Sequence, residues 1–245
     1  IFNIFLMELQ NIYNLINKKK FEEAKTKLIE LVKKQTVSDN NLFYRGSIYK
    51  NIYFTLSQVC NQLNELEKSI KYLQNHLNIN KQDSEALLNL ANLYLRTRKI
   101  KKAEIIYKRI IKIENNNIGA LINLAFLYEG MGKINNAIKY YQIAKNLYPN
   151  NLNFYYNLIR LNSKYLSDNQ ISFIKKLSKE NRVPDKDKYL SDLILSKNYE
   201  KKKDYLNEIK FIEKSHEKFL KFNVNKKSYK YWRDIIPYCY NKFKY

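Results

Sequence analysis

Apolar residues recur along this chain in two interlocked rhythms. Within a segment they fall at i, i+3 and i+7, as in Leu121, Leu124 and Tyr128, the stripe that an amphipathic helix buries. Between segments the stripe returns every 34 residues, at Leu56, Leu90, Leu124 and Leu158. Small residues keep the same step: Ser57, Ala91 and Ala125 follow the leucines, and Ser69, Ala103 and Ala137 come twelve residues later. Tyr94 with Tyr128 and Tyr107 with Tyr141 hold it too. Two helical stripes per period describe a helix hairpin stacked on copies of itself, because one hairpin cannot bury its apolar faces alone.

The period and its small-residue positions resemble the tetratricopeptide repeat, most clearly in residues 84–117 and 118–151. The resemblance implies an all-α, right-handed α-solenoid of helix-turn-helix repeats. In residues 118–151, Ala125 lets the second helix approach, and Gly132 sits where a turn needs a positive φ. Pro149 closes the repeat because it cannot continue a helix. Residues 50–83 hold the same register, with Cys60 and His76 at core positions, and residues 5–38 form a weaker first repeat. Residues 39–49 are either a linker or an early start of the next helix.

Downstream the pattern loosens. Residues 152–188 begin in register at Tyr155 and Leu158, then diverge. Ser167 followed by Gln170 reads as a capping box that opens a new helix. Residues 189–222 form a degenerate hairpin in which Glu208 replaces the alanine of earlier repeats, putting close helix approach there in question. Residues 223–245 belong to no repeat. There Trp232, Tyr238, Tyr240, Phe243 and Tyr245 are candidates for docking onto a domain absent from this chain.

Composition narrows the classes. The net charge of +22 invites a nucleic-acid reading. However, only 7 of the 45 basic residues are Arg, and Lys, Asn, Ile, Tyr and Phe fill 133 of 245 positions, so A/T-rich coding accounts for much of the excess. Nucleic acid is therefore not the expected partner, and a basic polyanion-binding solenoid ranks last among the readings. The two cysteines, Cys60 and Cys239, form no disulfide framework and point to a reducing cytoplasm. His76 and His216 have no ligand-like spacing, and no run is long and apolar enough for a membrane span.

The order of the repeats, the segments YLSDNQISFIKKL and YKYWRDIIP, and the hairpin between them resemble the amino-terminal half of tetratricopeptide-repeat sulfotransferases. That resemblance implies a following domain that transfers sulfuryl groups from phosphoadenosine phosphosulfate. No phosphosulfate loop is present in these residues: the four glycines, Gly46, Gly119, Gly130 and Gly132, sit in no Gly-Ser/Thr cluster after a strand. No catalytic residue, metal or cofactor is therefore assigned within this chain.

In such arrays the first helix of each repeat lines a concave groove, through residues two, five, nine and twelve. This places Phe54, Gln58 and Asn61 in the groove, then Glu85, Leu88, Asn92 and Leu95. Ile122, Phe126, Glu129, Tyr156 and Arg160 continue the set. Amides can bond a peptide backbone while apolar and aromatic groups supply buried area, so a peptide or protein is the expected partner. The carboxylate clamp that holds chaperone tails is excluded: its positions carry Leu88, Asn92, Asn123, Asn153 and Asn157, with none of the required cations. The expected function is a scaffold half of a sulfotransferase-like protein, with a stand-alone interaction adaptor as the alternative.

The repeat predicts six helices over residues 50–151, with Ala91 facing Ala103 and Ala125 facing Ala137. Ala125→Leu should overpack its crossing and cost about 1–3 kcal/mol in urea unfolding; an unchanged midpoint would remove the crossing from that position.

Overall fold

The structure, a computed structural model, describes the backbone of residues 2–38, 42–179 and 183–223, with side chains for 7–33, 51–179, 183–185 and 187–222. Among these residues every regular element is helical. The chain forms two compact units, Ile1–Leu127 and Tyr128–Tyr245.

The first unit holds α1 (Phe2–Asn17), α2 (Phe21–Ser38), α3 (Leu42–Gln62), α4 (Leu66–Ile79), α5 (Ser84–Arg96) and α6 (Ile100–Ile113). Helix α7 (Ile118–Gly130) runs past the boundary. Each helix packs on the next from α1 through α6. Ile12, Leu28, Ile52 and Leu56 make the first core, and each is at most 1% exposed. Helix α3 begins at Leu42, so the stretch before residue 50 is an early helix start from that residue onward. The six helices expected over residues 50–151 are present, and Ala91, Ala103, Ala125 and Ala137 are all fully buried.

The reason for small residues is visible in the α3–α4 hairpin. There the Ser69 hydroxyl donates to the Ser57 backbone carbonyl at 2.7 Å. A side chain with only one atom beyond Cβ thus spans the gap to the neighbouring backbone. Ala91 and Ala103 hold the equivalent positions one repeat on, where no polar atom needs a partner.

The period also fixes the helix ends. Asp83, Asn117 and Asn151 stand 34 residues apart. Their side-chain oxygens accept from the backbone N–H of Ala86 (3.1 Å), Ala120 (3.0 Å) and Asn153 (3.1 Å), satisfying donors that a helix start leaves unpaired. Hairpin turns end their first helix in one recurrent way. Lys19, Asn64, Arg98, Gly132 and Lys203 have φ of 58°, 60°, 57°, 70° and 58°. In each case the following residue donates to a carbonyl five positions back, as Lys99 does to Tyr94 (2.7 Å) and Lys133 to Tyr128 (2.8 Å). This is a Schellman cap, in which the left-handed residue is usually glycine. Gly132 meets the expectation, while lysine and arginine adopt the same conformation at a steric cost.

The second unit continues with α8 (Ile134–Leu147), α9 (Leu152–Leu161), α10 (Asp168–Lys179), α11 (Tyr189–Lys201) and α12 (Tyr205–Asn223). Short 3-10 turns cover Ser163–Tyr165 and Asp185–Asp187. The capping box forms as read: Ser167 N–H donates to Gln170 Oε1 (3.1 Å), and Gln170 N–H to Ser167 Oγ (3.3 Å). Ile171, Ile174, Leu177, Leu190 and Ile194 form the core around α10 and α11. Helices α11 and α12 do pack despite Glu208. Close approach there is carried by other residues, since Ser215, 4% exposed, donates to the Tyr189 carbonyl at 2.8 Å. A buried Asp192 is met by Lys218 at 2.5 Å across the same pair. The aromatic segment with Trp232, Tyr238, Tyr240, Phe243 and Tyr245 lies outside the described residues.

A left-handed backbone costs an L-residue about 1–2 kcal/mol, while glycine adds back some chain entropy to the unfolded state. Exposed Arg98 replaced by Gly should therefore stabilise the protein by about 0.5–1 kcal/mol in urea unfolding, and Asn64→Gly by less, because Asn tolerates this region better. A destabilised Arg98→Gly variant would contradict the cap.

Candidate functional site

Helices α1, α3 and α5 bring their C-terminal turns together around a groove of ≈ 660 Å³ in the first unit. Its polar rim comes from Gln58, Asn61 and Gln62 on α3, and from Asn89, Asn92 and Arg96 on α5. Lys19, in the α1–α2 turn, stands at one end. Val59, Leu73 and Leu93, each under 5% exposed, supply apolar wall. The lining carries two cations and no carboxylate. Repeat geometry produces this concentration: amides at related helix positions stack because their helices do.

Two hydrogen-bond systems hold the rim. The Arg96 guanidinium donates through Nη1 to the Asn61 side-chain oxygen, and through Nη2 to that of Asn64 at 3.1 Å. The Asn92 oxygen accepts from the Tyr107 hydroxyl (2.5 Å) and from the Asn123 amide (2.9 Å), linking α5, α6 and α7. Burial pushes the Tyr107 phenol up to about 12, against the opposing pull of its contact with Asn123. Tyr107 is thus a neutral donor at any physiological pH.

Behind the rim, Glu65 is held below the usual carboxylate range by Lys68 (3.0 Å) and Lys25 (3.2 Å). Neighbouring Cys60 is fully buried, and burial raises its thiol to about 11. A thiol that stays protonated is a poor nucleophile and metal ligand, so Cys60 serves packing. His76, 2% exposed, places Nε2 2.9 Å from Asp83 Oδ2 and tilts against the Phe54 ring at 5.3 Å. It is a packed histidine that ties α4 to the residue capping α5. Among the described residues no group of three His, Cys, Asp or Glu could hold a metal, and no helix is long and apolar enough to cross a membrane.

The sequence-derived groove residues divide. Gln58, Asn61 and Asn92 line the groove directly. Phe54 is half-buried against His76 and partly structural. Glu85 is exposed in the first turn of α5, and Leu88 is half-buried beside Gly119, where an added Cβ would come 2.9 Å from its Cδ2. Leu95 and Ile122 are half-buried, whereas Phe126 is 50% exposed. In the second unit Glu129 and Arg160 pair at 2.7 Å, and Tyr156 packs against the core. Arg96 and Lys19 were not legible as groove residues. Arg96 is one residue past the inward-facing pattern, and Lys19 occupies a turn; only the stacked turns bring them to the groove.

Sequence profiles described as tetratricopeptide repeat match residues 46–83, 84–117 and 120–151. These matches mark three tetratricopeptide repeats within residues 46–151. No curated protein matches the chain. Among solved structures, a MamA protein is similar at 17% identity and a TM-score of 0.57, over 73% of this chain and 92% of that one. MamA from Desulfovibrio magneticus RS-1 is 16% identical at a TM-score of 0.54, over 71% and 97%. Pseudomonas aeruginosa pilF is 17% identical at 0.53, over 74% and 79%. The likeness is one of fold.

Tyr107→Phe would leave the Asn92 oxygen one donor short at a half-buried position. Urea unfolding should show a loss of about 0.5–1.5 kcal/mol, and an unchanged stability would mean that the hydroxyl contact is dispensable.

Proposed function

We propose that the protein is a repeat adaptor that holds an extended polypeptide, with the groove of the first unit as its main seat. The observation that carries this reading is the rim of side-chain amides over apolar wall. An extended chain presents unpaired N–H and C=O groups along its length, and Asn and Gln can meet both kinds. Val59, Leu73 and Leu93 offer apolar contact between those bonds. Stacked repeats use such surfaces for binding, and tetratricopeptide domains bind peptides and proteins.

The remaining candidates extend this reading within their own units. Leu88, Leu95, Ile122 and Phe126 provide further apolar surface in the first unit, with Glu85 at its edge. In the second, Glu129 and Arg160 already satisfy each other, so Tyr156 is the more available contact. A cytoplasmic setting accords with a cysteine-poor composition. The sulfotransferase association gains no support from the similar proteins, which match through the repeats alone, and an adaptor role suits them better.

The test is selection of displayed random dodecapeptides on the full chain, followed by affinity measurement. Enriched peptides should bind the Gln58→Ala/Asn89→Ala double variant about tenfold more weakly, the loss expected of two hydrogen-bonding groups. Failure to enrich any peptide, or equal binding by the variant, would overturn the reading.

A further inference from the structure

The charge in the groove is unequal to its surroundings. Arg96 is fixed by two side-chain amides, Asn61 and Asn64, and an amide oxygen orients a guanidinium without neutralising it. Neighbouring carboxylates are engaged elsewhere: Glu65 with Lys25 and Lys68, and Glu67 with Lys99 at 2.7 Å. The contrast is Arg160 of the second unit, whose charge is met by Glu129 at 2.7 Å. Arg96 is therefore preorganised, exposed, part of the groove lining, and still positively charged in its local balance. Lys19 adds a second cation to the same lining, which holds no carboxylate among the described residues.

From this we infer that the groove selects an acidic segment of polypeptide, seating a carboxylate on the Arg96 guanidinium with Lys19 as a secondary attraction. The inference rests on the proposed peptide-binding reading and adds the charge of the ligand to it. A guanidinium has five donors in a planar fork, and two directed at Asn61 and Asn64 leave others for a carboxylate. The pair would form over apolar wall, where screening is weaker than in open water. The overall charge of +22 favours approach of an acidic chain and sharpens its salt dependence.

The site is distinct from the chaperone-tail clamp. Clamp positions along the helices carry Leu88, Asn92 and Asn123, without cations. Here the cations come from a helix end and from a turn, gathered by the stacking of hairpin corners. A nucleic-acid strand fits the lining less well. Two cations neutralise few phosphates, and the one lining aromatic, Phe21, is half-buried and so a poor stacking platform.

The experiment uses the full chain and fluorescein-labelled decapeptide pools. One pool carries Asp or Glu at two adjacent internal positions with an amidated C-terminus. The second replaces these with Asn or Gln, and the third is the second with a free C-terminal carboxylate. The acidic pool should bind about tenfold more tightly than its amide counterpart at low salt, and the margin should shrink as salt is raised. Arg96→Gln should abolish the margin, Arg96→Lys should keep most of it, and Lys101→Gln on exposed α6 should leave it unchanged. Retention by Arg96→Lys separates the charge from any structural role of the guanidinium bonds. Preference for the third pool over the second would assign the carboxylate to a chain terminus, and preference for the first alone would assign it to side chains. Equal, Gln58- and Asn89-dependent binding of acidic and amide pools would overturn the acid preference while leaving the groove reading intact. Binding of none of the pools would overturn both. Arg96-dependent binding of a dodecathymidine strand more tightly than the acidic pool would replace the peptide with a nucleic acid.

Discussion

The helices of the α3–α4 hairpin approach closely because their crossing carries side chains of one or two heavy atoms. The 2.7 Å bond from Ser69 to the Ser57 carbonyl measures that closeness directly. Fully buried Ala91 and Ala103 occupy the corresponding sites of the following repeat. Larger residues there would push the helices apart and break the nearest-neighbour packing through which each hairpin buries its apolar stripe. Helix spacing, stacking of the turns and alignment of side chains between repeats all follow from this limit.

The groove is a consequence of that alignment. Once α3 and α5 are held in register, Gln58 and Asn61 on one helix come beside Asn89 and Asn92 on the other. Identical Schellman caps bring the ends of the first helices to comparable places, so Lys19 and Arg96 reach one rim though 77 residues separate them in sequence. Rigidity comes from the same source. Arg96 is tied to Asn61 and Asn64, and Asn92 to Tyr107 and Asn123, so the polar groups are set before any ligand arrives. The fold and the groove are therefore linked through periodicity rather than through any single motif.

Much of this was legible in the sequence. The leucine spacing, the small residues, Gly132 and the Ser167–Gln170 box each name a local physical requirement, and each appears in the structure. The rest depended on tertiary placement. Nothing local distinguishes Lys19 or Arg98 as left-handed residues, since tertiary packing and the cap bonds impose a conformation their own sterics disfavour. Glu208 put close approach at α11–α12 in question, but Ser215, which holds the repeat position of His76, Ile110 and Ala144, and the Asp192–Lys218 pair keep the two helices together. The groove amides Gln58, Asn61 and Asn92 followed from helix position, whereas Arg96 became visible only once the turns were stacked.

The central claim is that polypeptide recognition occurs on the inner faces of α1, α3 and α5. Side-chain NH2 resonances of asparagine and glutamine report on it directly, because the groove amides differ from exposed amides such as Asn115 and Asn150 only in location. In a 15N-labelled full chain titrated with a selected peptide, the NH2 signals of Gln58, Asn61, Gln62 and Asn89 should shift together, while those of Asn115 and Asn150 stay in place. Shifts confined to the exposed amides, or to backbone signals of the lysine-rich α6, would contradict the account.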